Sequence, residues 1–169
     1  DKIGVLLPDS ATEQLATFTD PKRVTGQRAL ALAYMTFLPT MPKLKAGYGV
    51  IEARWFTFSF KDHYYLLQNS HINLSLDSEA QLAFDHAQII QTAIQRIKNK
   101  LDYQPTILQI LGPTFTLRQA REVYAIFLQK KVDAIDNSNF KKTHKNIFKE
   151  VGTSSVKHSG RPPKIFKLV

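Results

Sequence analysis

The chain has 169 residues, 43% of them hydrophobic, and its 23 lysines and arginines against 14 acidic residues give a net charge of +9. This composition favours a folded chain over a disordered one, and no apolar run approaches the roughly 18 residues of a membrane span. The absence of cysteine excludes disulfides, cysteine-ligated zinc and thiol catalysis. The N-terminus lacks the order of a signal peptide, so we expect a soluble, cytoplasmic protein.

The positive charge lies entirely in the second half of the chain. Residues 1–84 hold eight basic and eight acidic residues, whereas residues 85–169 hold fifteen and six. Within residues 137–169, eight basic residues accompany one acid, Glu150. This asymmetry favours a polyanion such as double-stranded DNA over a small substrate. A solvated basic surface that binds nothing specific is the alternative.

The first half has the patterns of β-structure. The apolar run 27–38, the alternating segment 50–60 and the stretch 63–76, which turns near residues 68–70, together predict four strands. Prolines and glycines at 39–49 predict a loop between the first two strands. We therefore expect a mostly β domain over residues 1–82.

A long helix is predicted from residue 84 to residue 101. Ile90, Ile94 and Ile97 follow helical spacing, Asp85 suits the positively polarised start of the helix, and lysines occupy its last turn. This helix is predicted to open a second domain over residues 83–169.

A short strand and a second helix are predicted after it. The strand is the apolar run 106–111, which Gly112 and Pro113 end. Thr116 and Gln119 then have capping-box spacing. The apolar stripe of the second helix consists of Leu117, Ala120, Tyr124 and Phe127.

The last part of the chain predicts a third helix and a hairpin. Residues 139–151 place Phe140, Ile147 and Phe148 on one helical face with His144, which we interpret as structural, and place lysines largely off it. Two strands follow, joined by a basic turn. Helix, strand, two helices and a hairpin are the order of a winged helix, whose third helix enters the major groove and whose hairpin loop, the wing, lies along the backbone or minor groove.

The predicted DNA contacts come from the third helix and the wing. Gly160 permits the turn "GRPP", and the following prolines keep the backbone extended, which leaves Arg161 to reach a narrow minor groove. The same tetrapeptide resembles the core of an AT-hook. The predicted contacts are Asn139, Lys141, Lys142, Lys145, Lys149, Lys157, His158, Arg161 and Lys164.

The chain resembles the Nudix-related transcriptional regulators of NAD metabolism over nearly its whole length. The most specific motifs are the "FDH" start of the long helix, "FTL" before the second helix, and "NFKK" followed by "GRP" in the wing. The resemblance implies an α+β fold, with a truncated or degenerate Nudix-like β domain followed by a C-terminal winged helix-turn-helix domain. It also implies a homodimeric repressor that senses ADP-ribose or a related nucleotide and needs no other cofactor. Arg23 and Arg28 fall where it places part of the metabolite pocket, whereas the residues themselves favour surface salt bridges for both.

The chain departs from the catalytic pattern of this family. A Nudix box holds Mg²⁺ with clustered carboxylates on one helix, but the five glutamates lie scattered at positions 13, 52, 79, 122 and 150. The opening "DKIGV" is similar to the end of such a box, so the chain is either a fragment or carries a decayed box. The histidines show no metal-ligand spacing. We therefore predict no catalytic residue and no metal site in these residues.

Three functions remain open at this point. The leading one is a DNA-binding regulator with a ligand-sensing domain. The second is an ADP-ribose-type Nudix hydrolase, whose catalytic box lies upstream and whose winged helix is accessory. In the third, the winged helix mediates only protein contacts, which the eight cations in residues 137–169 disfavour.

Overall fold

The computed structural model describes residues 2–7, 12–76, 82–154 and 162–169. The chain divides into two compact units, Asp1–Arg96 and Ile97–Val169. The sequence placed the boundary between residues 82 and 83, whereas most of the long helix belongs to the first unit. The reason is visible in its side chains, because Arg96 Nη2 donates to the Leu15 carbonyl over 2.9 Å.

The first unit begins with an antiparallel pair of strands. Strand β1 spans Thr12–Phe18 and β2 spans Ala31–Thr36. Strand β2 was predicted, but β1 was missed. A bulge shifts the register of β1 between Gln14 and Ala16, so its buried residues Leu15 and Phe18 are three positions apart and do not alternate.

A three-stranded antiparallel sheet follows in the order β3-β4-β5, with β3 at Thr57–Lys61, β4 at Tyr64–Gln68 and β5 at Asn73–Ser75. The last two strands were predicted. The predicted strand over 50–60 is wrong in its first half, where Ile51 is fully exposed and Trp55 Nε1 donates to the Pro42 carbonyl over 2.9 Å. These residues have no ladder partner in the described part of the chain.

Helix α1 spans His86–Lys100, as predicted. Its helical spacing has the expected result, since Ile94 and Ile97 are buried and the following Leu101 is only 1% exposed. In the described residues, no helix has the length and apolar character to cross a membrane.

After the last residues of α1, the second unit continues with a 3-10 helix over Thr106–Leu111, where the sequence predicted a strand. A short apolar run has no periodicity that distinguishes a strand from a helix. Its residues Ile107 and Leu108 are buried. The short strand of this unit is β6, Phe115–Thr116. Helix α2, Leu117–Leu128, then begins with the predicted capping box of Thr116 and Gln119.

Helix α3 spans only Asn137–Thr143, so the prediction of a helix to residue 151 is wrong. The Asp136 side chain caps it by accepting from the Asn139 N–H over 2.7 Å. Strand β7 begins at Phe148 and runs to Thr153. Residues 144, 147 and 148 fit a helical face by spacing, but pairing with a distant strand places Phe148 in a sheet.

The predicted hairpin is confirmed. Strand β8 spans Lys164–Leu168, pairs antiparallel with β7 on one side and β6 on the other, and gives the order β6-β8-β7. The core beside this sheet is an aromatic cluster. His144 is 3% exposed there, its Nδ1 hydrogen-bonds the Phe140 carbonyl over 2.8 Å, and its ring stacks on Phe148. His144 is therefore structural, as interpreted.

Candidate functional site

Three of the predicted DNA-contacting lysines border one cleft in the second unit. Helix α3, the start of α2 and strands β7 and β8 enclose about 420 Å³. A second cleft of about 490 Å³ shares Lys141 with the first and adds Lys164 and two arginines. The first cleft is lined by the apolar Leu117, Phe148 and Phe166, by Lys141, Lys142, Lys145 and Glu150, and by Ser138. The surface thus combines an apolar floor with a cationic rim.

The local sequence explains why the lysines lie on this rim. The cap at Asp136 fixes the start of α3, and Phe140 then turns inward to contact the Tyr124 ring at 4.9 Å. Lys141 and Lys142 follow in the last turn of the helix, where a cation interacts favourably with the helix dipole. Their side chains face solvent because Phe140 anchors the opposite side.

Glu150 is the acid of this surface, and it contacts two of the predicted DNA-binding residues. Its carboxylate lies 2.6 Å from Lys164 Nζ and 3.6 Å from Lys141 Nζ. The hydrogen bond from Lys164, together with the charges of Lys164 and Lys141, lowers the pKa of the Glu150 carboxyl. Lys142 and Lys145 have no acidic partner among the residues that the structure describes.

Lys149 does not lie with the other lysines, because it belongs to strand β7 and not to a helix. Side chains alternate along a strand, so Lys149 is on the face opposite to Phe148 and Glu150. Its cross-strand partner is Lys167, which the sequence analysis did not select. The alternation of Lys167 with Phe166 in β8 is the signal that could have found it.

The remaining predicted contacts have different positions. Asn139 is exposed on α3. Lys157, His158 and Arg161 lie outside the described residues, so the predicted wing contacts stay predictions. Arg118 and Arg121 were missed, although they border the second cleft at a spacing of three on α2.

The first unit contains a polar cleft of about 440 Å³ at the start of α1. Arg23 forms a two-pronged pair with Asp85 there, with Nε 2.9 Å from Oδ2 and Nη2 2.8 Å from Oδ1. The Arg23 hydrogen bonds lower the pKa of the Asp85 carboxyl. Both side chains are only about a tenth exposed, at 11% and 10%, so the pair is better shielded than the surface salt bridge expected for this arginine.

Two further residues of this cleft differ in chemical character. Lys22 lines it beside Arg23, and the ring of Phe84 is 69% exposed at its edge. Phe84 also has a left-handed backbone, with φ of 53°, which is rare for an aromatic residue. Arg28, the other predicted effector contact, is exposed and is not among the residues that line the cleft. Across the described ranges, no group of three or more histidines and carboxylates is placed to hold a metal ion.

Residues 107–168 match the family described as the NrtR DNA-binding winged helix domain. The match begins at the 3-10 helix and ends in β8, so it covers every element of the second unit after α1.

A sequence relative extends the comparison. The chain is 29% identical over 86 residues to the ADPR responsive transcriptional repressor NtrR of Acinetobacter baylyi. The match covers 48% of this chain and 34% of that repressor, so the chain spans about a third of the relative's length.

The whole chain is similar to solved structures. A MutT/nudix family protein from Enterococcus faecalis matches with a TM-score of 0.85 and 32% identity, over 99% of this chain and 64% of that protein. NrtR of Shewanella oneidensis matches with a TM-score of 0.61 and 20% identity, over 99% and 68%, and its complex with a 27mer DNA matches with 0.60 and 20% over the same shares. The predicted fold class, a Nudix-like domain followed by a winged helix, is confirmed, as is the resemblance to Nudix-related regulators.

Proposed function

We propose that this chain acts as a DNA-binding transcriptional repressor whose Nudix-like domain senses a nucleotide such as ADP-ribose. The observation that carries the proposal is the lysine-rimmed cleft of the winged helix domain, in which Lys142 and Lys145 are exposed and have no acidic partner among the described residues. Lysines in this state are available to phosphates and release counterions when they bind.

The arrangement fits a duplex because affinity and sequence specificity depend on separate features. Phosphate contacts from lysines provide most of the sequence-independent affinity. The exposed face of α3, with Asn139 on it, is what the winged helix domain presents to the base edges. The proposed partner is therefore double-stranded DNA, with Lys142 and Lys145 as the main phosphate contacts of α3 and of the turn that follows it.

A paired lysine substitution tests this. Lys142→Gln with Lys145→Gln should weaken binding to duplex DNA and make the plot of log K against log salt less steep by about 1.8, at about 0.9 for each lost phosphate contact. The measurement is fluorescence anisotropy over a salt series. Lys130→Gln with Lys131→Gln is the matched control, since these exposed lysines lie after α2 and outside both clefts. Equal effects of the two pairs would contradict the assigned interface.

The effector site that we propose is the cleft at the start of α1. A nucleotide needs a cation for its phosphates and an apolar surface for its base, and Lys22 and the exposed Phe84 ring provide these at one cleft. Calorimetry with ADP-ribose should show loss of binding in Phe84→Ala. Tyr48→Ala, a truncation of another exposed ring of this unit, should bind as the parent does. Loss of binding in both variants would exclude a specific role for Phe84.

A second candidate function is hydrolysis of ADP-ribose, which the similarity to a MutT/nudix family protein favours. We propose that these 169 residues have no such activity, because their glutamates are scattered and a pyrophosphatase needs clustered carboxylates. Incubation with ADP-ribose and Mg²⁺ or Mn²⁺ should leave the substrate intact. Turnover that copurifies with the chain would establish the enzyme instead.

We also propose a homodimer, since winged helix dimers read two half-sites of an operator. Sedimentation equilibrium should give twice the chain mass of 19.2 kDa. A single-chain mass at all concentrations would exclude it.

A further inference from the structure

Glu150 is the single acidic residue in the sequence of the basic segment 137–169, and it lies between two lysines of that segment. One carboxylate oxygen is 2.6 Å from Lys164 Nζ, and the other is 3.6 Å from Lys141 Nζ. The side chains are 39%, 44% and 49% exposed for Glu150, Lys164 and Lys141. A DNA phosphate would likewise direct two oxygens at these two ammonium groups on the cleft wall.

The fold holds this arrangement in place. Alternation along β7 puts Glu150 on the same face as the buried Phe148, and its cross-strand partner on β8 is Phe166. Lys164 is two residues from Phe166 in the same strand and so shares this face. Lys141 reaches across from α3, with Nζ 5.8 Å from the centre of the Phe166 ring. Glu150, on the core-facing side of β7, therefore lies at the rim of the cleft beside both lysines.

We propose that Glu150 limits the affinity of this surface for nonspecific DNA by competing with phosphates for Lys141 and Lys164. The inference rests on the proposed DNA-binding function. Nonspecific affinity depends on how many phosphates are neutralised, and a lysine already paired with a carboxylate gains less from a phosphate than an unpaired one. Lys142 and Lys145 keep their contacts, so Glu150 reduces background binding without removing the interface.

The test is Glu150→Gln, which keeps the shape of the side chain and removes its charge. The probe is a labelled duplex of mixed sequence, titrated by anisotropy over a series of NaCl concentrations. If both lysines are released, the slope of log K against log salt steepens by up to about 1.8. If only one lysine is released, the slope steepens by about 0.9. The ratio of the affinity at 0.1 M salt to that at 1 M salt is then about eightfold larger in Glu150→Gln than in the parent chain.

Glu52→Gln is the matched control, because it removes the same charge from a surface pair with Arg54 in the first unit, outside both clefts of the winged helix domain. It should leave the slope unchanged. Lys141→Gln is added in both backgrounds. It should change the slope little in the parent chain and reduce it by about 0.9 in Glu150→Gln.

The outcomes separate this inference from the proposed function. If the parent chain binds the duplex and Glu150→Gln has the same slope, or binds more weakly, the competition is overturned while DNA binding stands. If neither chain binds the duplex at any salt concentration, both proposals fall. A melt followed by circular dichroism accompanies each variant, and the Lys141→Gln comparison within one background holds whatever the stability of that background.

Discussion

Truncation of Phe148 tests the aromatic core that supports α3. Phe148 is 6% exposed, and its ring contacts Phe115 at 5.2 Å, Phe140 at 5.8 Å and His144 at 4.9 Å between centroids. Phe148→Ala therefore removes a buried ring and leaves three ring partners beside a cavity. Because β7 begins at this residue, the substitution also weakens the anchoring of the hairpin.

The magnitude follows from this environment. Truncation of a buried phenylalanine to alanine costs about 3–5 kcal/mol. Ring pairs contribute about 0.5–1.5 kcal/mol each beyond burial, so a residue with three ring partners belongs in the upper part of that range. For a domain of 60–100 residues, 1 kcal/mol lowers Tm by about 4–8 °C. A loss of about 4 kcal/mol therefore predicts a fall of at least about 16 °C.

The assay is thermal and urea unfolding followed by circular dichroism. Phe84→Ala is the control, since it is the same truncation at a ring that is 69% exposed, and it should cost less than about 1 kcal/mol. Phe148→Leu keeps most of the buried volume and should fall between the two. If Phe148→Ala melts within about 2 °C of the parent chain, the ring is not in a packed core and the described packing of β7 on α3 is refuted.

Three further predictions concern single side chains. Tyr124→Phe should cost about 1–3 kcal/mol in unfolding free energy, because the buried hydroxyl donates to the Leu101 carbonyl over 2.5 Å and its loss leaves that carbonyl without this partner; an unchanged urea midpoint would contradict this. Asp85→Asn should destabilise the fold near pH 7 and have no effect in strong acid: its pKa is lowered by Arg23, so the stabilisation is complete above the ordinary Asp value of about 3.9 and is lost as pH falls through the lowered one. A difference between the two chains that does not vary with pH would exclude the ion pair as its source. Arg161→Ala should weaken binding to duplexes with A·T flanks more than to those with G·C flanks, and Arg161→Lys should restore only part of that preference; equal losses on both would reduce the wing to a phosphate contact.

Elements with strong local signals could be predicted from the sequence. The capping box of Thr116 and Gln119 fixes the start of α2, and the spacing of Ile94 and Ile97 fixes the buried face of α1. The lysines of α3 could be selected by composition alone, because residues 137–169 contain eight basic residues and a single acidic residue, Glu150. Local patterns sufficed where the structure depends on neighbours in the chain.

The errors lie where pairing with a distant segment decides the conformation. Phe148 fits a helical face by spacing, yet it belongs to β7 because it pairs with Leu168, twenty residues later in the chain. The bulge in β1 puts the buried residues Leu15 and Phe18 three positions apart, so the sequence does not show the alternation that is typical of a strand. The contacts of Glu150 with Lys141 and Lys164 have no signature in sequence, since they depend on how the hairpin meets α3.

The opposition of Lys149 and Lys167 across β7 and β8 makes the hairpin sensitive to ionic strength. Directly opposite residues have their Cβ atoms about 4.5–5.5 Å apart, and like charges at that distance repel and destabilise the pairing. The screening length shrinks from about 10 Å at 0.1 M salt to about 3 Å at 1 M, which is shorter than this separation. Added salt therefore relieves the repulsion between these two lysines while it weakens the proposed attraction to DNA, so this strand pairing gains stability over the same range of concentrations in which the proposed complex dissociates.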